Sequence, residues 1–343
     1  MDVRGIEMEK KIIGVCLVGF GNFGKRLNDY LGKIPRCRVK YIYHPEQEKS
    51  RLYGELGSCD IEKILRDSEV DAFVIATPHD RHIDLLNTLV REGRHHIFVE
   101  KPITAFYKEA ESLQDGMQSF KNVFMVGHNQ RREACFRKAK ELLEQKVIGL
   151  VVDVSFNFSH SGAYAIGPNN WRYYSARHRE GPLVTLGSHA IDTIHYLFGR
   201  IKSVYARIQN ISGRMEAPDS SSVLMTLENG GATVFLRSNY NVPSEKSCVI
   251  SGTEGIIYID RNNIWLRVGR DVNKVPSVKQ AIPIPQTDAI NEELNEFFDA
   301  ILEAKQIETG YREGLAVMAV LEACYQSSLK DKPERLAKYH SHF

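Results

Sequence analysis

The sequence is short of charge imbalance. Its 343 residues carry 45 lysines and arginines against 43 aspartates and glutamates, a formal net charge of +2 with no long run of one sign. That balance argues against a nucleic-acid or membrane-surface partner. Cysteine is sparse as well. Cys16, Cys37, Cys59, Cys135, Cys248 and Cys324 are scattered without metal-type spacing, so no metal site is expected and unpaired thiols in a reducing compartment are the simple reading. No apolar run approaches membrane-spanning length. Met1 to Lys11 is polar and the apolar stretch after it is broken by glycines, so it does not read as a signal peptide. Internal repeats and low-complexity segments are also missing. The expectation is a cytoplasmic protein without a membrane segment.

What is present suits a large core. Hydrophobic residues make up 43% and charged residues 26%, and the length exceeds one ordinary domain. The most informative stretch is Ile97-Phe98-Val99-Glu100-Lys101-Pro102. An apolar run without polar alternation reads as a strand buried on both faces of a parallel sheet. Pro102 cannot continue a ladder, which leaves Glu100 and Lys101 at the strand's carboxyl end, where open α/β sheets bind ligands. A lysine delivered there can polarise a substrate oxygen.

Upstream, the apolar strand Ile12 to Val18 ends in Gly19-Phe20-Gly21-Asn22-Phe23-Gly24, and a helical pattern follows. Strand, Gly-x-Gly-x-x-Gly and helix in that order form the dinucleotide fingerprint. Gly19 permits a tight turn, Gly21 lets backbone approach a pyrophosphate, and Gly24 lets helix and strand pack closely. The helix N-terminus offers N–H groups to the phosphates. A second strand, Arg38 to Tyr43, ends at His44, where the fingerprint expects an acid for the ribose. Glu46, Lys49 and Arg51 follow, so NAD and NADP both stay open. A third strand, Val70 to Ala76, runs into Thr77-Pro78-His79-Asp80-Arg81-His82. Thr77, Pro78, His79, His82, Glu100 and Lys101 join the glycine loop and His44 as the expected cofactor site. Helices over Ile83–Glu92 and Tyr107–Ser119 and a strand over Asn122–Val126 complete a strand–helix alternation, the pattern of a doubly wound parallel sheet. This domain is expected over residues 1–128.

Residues 129–343 change character. After a helix over Arg131–Lys146, strands are expected at Val151–Ser159, Val204–Ile211, Ser221–Leu227, Ala232–Tyr240, Ser247–Ser251, Gly255–Asp260 and Ile264–Val268, with Asn229-Gly230 as a hairpin turn. They predict a mostly antiparallel or mixed sheet. Two closing helices are expected near Ile290–Ala304 and Glu313–Leu329. Within this half, Gly187 to Phe198 reads as a helix with His189 and Asp192 on its first turn, spaced to touch. A helix N-terminus favours neutral histidine, the form a general base needs. His195 points elsewhere and reads as structural. Asn129, Arg131, Trp171, Arg172 and Tyr173 could supply donors and a stacking face for a polyhydroxy substrate.

The glycine fingerprint, Thr77-Pro78, Glu100-Lys101-Pro102 and Gly187-x-His189-x-x-Asp192 stand in one order. Val126-Gly127-His128-Asn129-Gln130-Arg131-Arg132 and Gly252-Thr253-Glu254-Gly255 accompany them. In this the chain resembles the Gfo/Idh/MocA family of oxidoreductases over residues 10 to 330. The resemblance implies a Rossmann domain followed by an α/β domain with an open sheet that often builds a homodimer or homotetramer. It also implies an NAD(P)-dependent dehydrogenase or reductase acting on a secondary alcohol of a sugar, nucleotide sugar or inositol-type polyol. Lys101 matches the lysine that bonds the reacting oxygen, and His189 the histidine that takes the hydroxyl proton. Many members carry Asp four residues before that histidine; this chain has Thr185, so Thr185 or Asp192 is expected to take over its part. Rival activities share the architecture: a redox-assisted, NAD-dependent glycosidase, a non-catalytic dinucleotide-sensing regulator and a bilin reductase, the last told apart by its coloured substrate. Retention of Lys101 and His189 speaks against the sensor.

Overall fold

The computed structural model describes residues 11–269 and 278–339, so most of the polar amino-terminal stretch lies outside it. The chain forms two compact units. The first comprises residues up to Glu100, Leu113–Gly127 and Ile290–Tyr311; the second comprises Lys101–Ser112, His128–Ala289 and the chain from Arg312 onward.

The first unit is a six-stranded, wholly parallel sheet. Its strands are β1 (Ile13–Val18), β2 (Cys37–Tyr43), β3 (Gly57–Ser58), β4 (Ala72–Ile75), β5 (His96–Glu100) and β6 (Phe124–Gly127), in the order β3-β2-β1-β4-β5-β6. Every residue of β1, β4 and β6 is buried, which is why these strands read as unbroken apolar runs. Helices α1 (Asn22–Leu31), α2 (Gln47–Arg51), α3 (Ile61–Arg66) and α4 (His82–Glu92) connect them. Strand β3 is two residues long, too short for any periodicity. The start of α3 was legible in principle, because Asp60 caps it by accepting a hydrogen bond from the Lys63 N–H at 2.9 Å.

The helix expected over Tyr107–Ser119 is two helices, α5 (Tyr107–Ser112) and α6 (Gln114–Ser119). Ser112 donates its hydroxyl to the Glu109 carbonyl at 2.7 Å, a local bond that competes with helix continuation. Helix α5 falls in the second unit and α6 in the first.

The second unit holds α7 (Ala134–Glu144), β7 (Val151–Ser159), α8 (Ser188–Phe198) and a nine-stranded sheet. The further strands are β8 (Ile201–Gln209), β9 (Ser220–Leu227), β10 (Thr233–Asn239), β11 (Glu245–Gly252), β12 (Gly255–Asp260), β13 (Asn263–Val268), β14 (Gln280–Ile282) and β15 (Glu334–Arg335). Their order is β14-β13-β12-β11-β7-β10-β9-β8-β15. The sheet is mixed because β10 pairs parallel to β7, whereas its neighbours pair antiparallel. Gly230 and Gly231 both take positive φ in the β9–β10 hairpin, which side chains resist and glycine does not.

Two late helices follow, α9 (Ala289–Glu303) and α10 (Tyr311–Lys330). Although α9 is distant in sequence from the parallel sheet, Leu294, Phe297 and Phe298 belong to one buried cluster with Leu17, Val74, Phe98 and Met125. Phe98 and Phe297 meet edge to face at 5.7 Å, a favourable aromatic geometry. Truncating such a side chain removes transfer energy and leaves a cavity, so Phe297→Ala should cost about 3–5 kcal/mol. A urea titration checks this; a loss below about 1 kcal/mol would mean that α9 does not support the sheet.

Candidate active site

The first unit presents a glycine-lined loop between β1 and α1. Gly19 has φ +92°, and a Cβ there would lie 2.8 Å from the Thr77 Cγ2 and 2.9 Å from the Ala76 carbonyl. A Cβ on Gly24 would lie 2.1 Å from the Gly19 carbonyl oxygen. These two glycines are therefore required by the protein's own packing. Gly21 differs, because nothing lies within 4 Å of its added Cβ; only a ligand's approach would require glycine there. Gly21 also precedes α1 with no side-chain cap on the helix, which leaves first-turn N–H groups for an anion. Close by, the Thr77 hydroxyl is buried without a hydrogen-bond partner among the described residues.

The other expected cofactor residues differ in what they do. His82 donates its Nε2–H to the Thr77 carbonyl at 3.0 Å, so this buried ring braces its own loop. His79 is also buried. At the end of β2, His44 Nδ1 accepts from the Glu46 N–H at 3.0 Å. Glu46 in turn binds Lys49 at 2.7 Å, and that bond lowers its pKa. Glu100 is buried at the end of β5, where a Cβ on Gly127 would stand 2.8 Å from its Oε1.

The second unit gathers the side chains expected to carry the chemistry. Lys101 is half-buried and donates from Nζ to the backbone carbonyl of Thr185 at 2.7 Å. Thr185 lies in a π-helical turn, Leu183–Gly187, that runs straight into α8. Such turns are rare and frequent at functional sites. Gly187 is helical, and a Cβ there would come within 2.6 Å of the Leu183 Cδ1. His189 is therefore not at a free helix N-terminus, and the dipole argument fails. It stays neutral for another reason. Burial first, then the charges of Lys101, His128 and Lys246, press its pKa well below the ordinary value. Its Nδ1 is buried without a partner among the described residues, and its ring leans on Phe158 at 6.0 Å.

Asp192 requires a correction. The spacing allowed contact with His189, but the structure gives Asp192 to Arg131. The guanidinium donates twice, Nε to Oδ2 at 2.9 Å and Nη2 to Oδ1 at 2.6 Å. Asp192 is 1% exposed and Arg131 6%. Burial pushes the carboxyl's pKa up, but His128, Arg131 and the two bonds prevail and hold it below its usual value. Arg131, expected among the substrate donors, is engaged in this fork and stacks over Tyr196 at 5.3 Å. Asn129 is half-buried at the start of the same short turn.

Trp171, Arg172 and Tyr173 form one 3-10 turn, with the Arg172 guanidinium 4.5 Å from the Trp171 ring. Trp171 meets His178 edge-on at 5.4 Å, and His178 stacks on Tyr240 at 6.0 Å. The hydroxyls of Thr185 and Tyr240 are hydrogen-bonded. Sequence reasoning missed Tyr240 and gave no role to His128. The latter is fully enclosed, and neither ring nitrogen has a partner among the described residues. Its pKa is lowered to about 4 by burial and by Arg131, Lys101 and Arg132, against the opposing pull of Asp192.

Comparison with known proteins identifies the family. Residues 13–128 match the model of an oxidoreductase family with an NAD-binding Rossmann fold, and residues 136–258 match the Gfo/Idh/MocA C-terminal domain. The chain belongs to the Gfo/Idh/MocA family of oxidoreductases. Levoglucosan dehydrogenase of Pseudarthrobacter phenanthrenivorans is 23% identical, with 93% of this chain and 97% of that protein covered. A structure of levoglucosan dehydrogenase with NADH and L-sorbose superposes with a TM-score of 0.86 at 22% identity, covering 95% and 99% of the two chains. A putative NADPH-dependent oxidoreductase from Desulfitobacterium hafniense gives 0.88 at 24% identity, covering 95% and 98%. As a Gfo/Idh/MocA member the protein is a nicotinamide-dependent oxidoreductase. The glycine loop fits such a cofactor, since open space at Gly21 and the orphaned Thr77 hydroxyl both await a ligand. Among the described residues no helix is long and apolar enough to cross a membrane, and no cluster of side chains could hold a metal ion.

Two expectations follow. Removing one partner of a buried ion pair strands the other, so Asp192→Asn should lose about 3–5 kcal/mol of stability. Were Asp192 instead a base partner of His189, turnover would fall in a protein whose melting temperature is unchanged. The second concerns pH. An unfolded histidine titrates near pH 6.5, whereas His128 resists protonation down to about 4. Between those limits the unfolded chain binds a proton that the folded one does not, so stability falls as pH drops through the window. His128→Gln should narrow the difference in urea midpoint between about pH 7 and pH 5; an unaltered difference would contradict this assignment.

Proposed function

We propose that the protein is an NAD(P)-dependent dehydrogenase or reductase that interconverts a secondary alcohol and a ketone on a sugar or polyol. The observation that carries this reading is the fixed Lys101 beside a neutral His189 in one unit. Gly19, Gly21, Gly24 and Thr77 would hold the dinucleotide, and Gly21 would admit its pyrophosphate. The bound nicotinamide supplies the hydride acceptor in oxidation and the donor in reduction. The chain's own residues handle the proton and the charge. An ammonium has three donors, and the Thr185 carbonyl takes one from Lys101; another would bond the reacting oxygen and stabilise the developing alkoxide. In oxidation the hydroxyl proton passes to His189 at Nε2, because Nδ1 is enclosed. In reduction it returns to the carbonyl oxygen as the alcohol forms. Trp171 and Tyr173 would offer apolar faces to a sugar ring.

The test is a screen of sugars and polyols with NAD and NADP, including levoglucosan, L-sorbose and inositols, followed at the nicotinamide absorbance. A substrate found this way should lose about 10²–10⁴ in turnover with His189→Ala, with dinucleotide binding retained. Lys101→Met should be comparably impaired; near-normal turnover in that variant would refute the reading. Release of an aglycone without net NADH would replace it with the redox-assisted glycosidase.

A further inference from the structure

Both oxygens of Thr185 are engaged. Its carbonyl receives Lys101 at 2.7 Å, and its hydroxyl is hydrogen-bonded to the phenol of Tyr240, 55 residues away. We propose that Tyr240 is a positioning residue, which fixes the Thr185 side chain and through it the carbonyl that aims Lys101. The proposal rests on the reading of Lys101 as the group that bonds the reacting oxygen.

Tyr240 is built to stay still. It is 2% exposed and belongs to a small core with Ala163, Leu186, Met215 and Ala217. Its ring stacks on His160 at 4.8 Å and 24° and on His178 at 6.0 Å and 20°. Its backbone is pinned on both sides, the N–H to the Asp219 carbonyl at 2.8 Å and the carbonyl by the Ala163 N–H at 2.8 Å. A buried phenol needs a partner, and the groups within reach are the Thr185 hydroxyl, the Arg172 guanidinium and, at 3.5 Å, His178 Nε2. The charged side chain acting on it is Arg172, yet burial dominates and keeps the phenol protonated. Thr185, by contrast, sits in a π-helical turn, where an external brace on its central residue sets how that residue is rotated. A neutral hydroxyl suits this site.

The experiment compares Tyr240→Phe, Thr185→Val, the double variant, Thr185→Ser and Lys101→Met in the full-length protein. Turnover on a substrate from the screen is measured together with the rate at which an amine-acylating reagent labels Lys101, read by mass spectrometry. Losing one fixed hydrogen bond should lower kcat about tenfold in Tyr240→Phe. KM should move less than about twofold, since a positioning loss falls on the transition state. Lys101 should be labelled faster, and dinucleotide affinity should match the parent. The double variant should be no worse than either single one, because both break the same bond. Thr185→Ser, which keeps the hydroxyl, should restore parental values. Parental kcat and labelling in Tyr240→Phe, with Lys101→Met inactive, would overturn the proposal and leave the dehydrogenase reading intact. Equal losses in Thr185→Ser and Thr185→Val would also overturn it, by tracing the effect to packing of the methyl group. Should Tyr240→Phe not fold, the contrast between Thr185→Val and Thr185→Ser decides alone. Full turnover in Lys101→Met would instead remove the underlying reading.

Discussion

The hydrogen bond from Lys101 to the Thr185 carbonyl ties the segment leaving β5 to the turn that introduces α8. Lysine has a long stem and a strongly hydrated head, so a lysine with a defined direction needs a fixed acceptor. Here the acceptor is backbone, four residues before His189, so one short piece of chain both anchors Lys101 and carries His189. A shift of the π-helical turn would move both together. That coupling explains why so much of the second unit converges on residues 183–192: Gly187 closes against Leu183, Tyr240 braces Thr185, and Arg131 clamps Asp192.

Electrostatics around this turn follow from burial more than from any helix dipole. Lys101, Arg131 and Arg132 crowd His128, and Lys101, His128 and Lys246 act on His189. In a poorly solvated setting each added cation makes a protonated imidazole less favourable. Asp192 offsets part of that positive charge but is committed to Arg131. The consequence for the proposed chemistry is a neutral histidine able to accept a proton, with Lys101 positioned to stabilise an oxyanion.

The parts of this arrangement that could be read from sequence share a physical feature: they are local. Gly19 and Gly24 are dictated by contacts within one strand–turn–helix unit, so their spacing is diagnostic. The buried strands announce themselves because both faces must be apolar. Lys101 follows from Pro102 ending the strand, and His189 from its place in a short motif. The helix start near Gly187 was legible, but the free N-terminus expected there is absent because a π-helical turn, which leaves no distinct pattern of apolar residues, runs into it. Expecting Asp192 to meet His189 was reasonable on a helix surface; it failed because a guanidinium 61 residues away offered a bidentate fit.

Short-range pattern therefore determined the doubly wound sheet and the dinucleotide loop, and the ordered motifs carried the resemblance to the family. They also brought forward the lysine and histidine proposed to carry the chemistry. Only the tertiary structure decided which side chain answers which. It gave Asp192 to Arg131 and Thr185 to Tyr240, enclosed His128, and placed α9 with a sheet whose first strand lies more than 250 residues before it. The reason is that a polar group entering the interior must find a partner wherever the fold supplies one. Distance along the chain carries no information about which partner that will be.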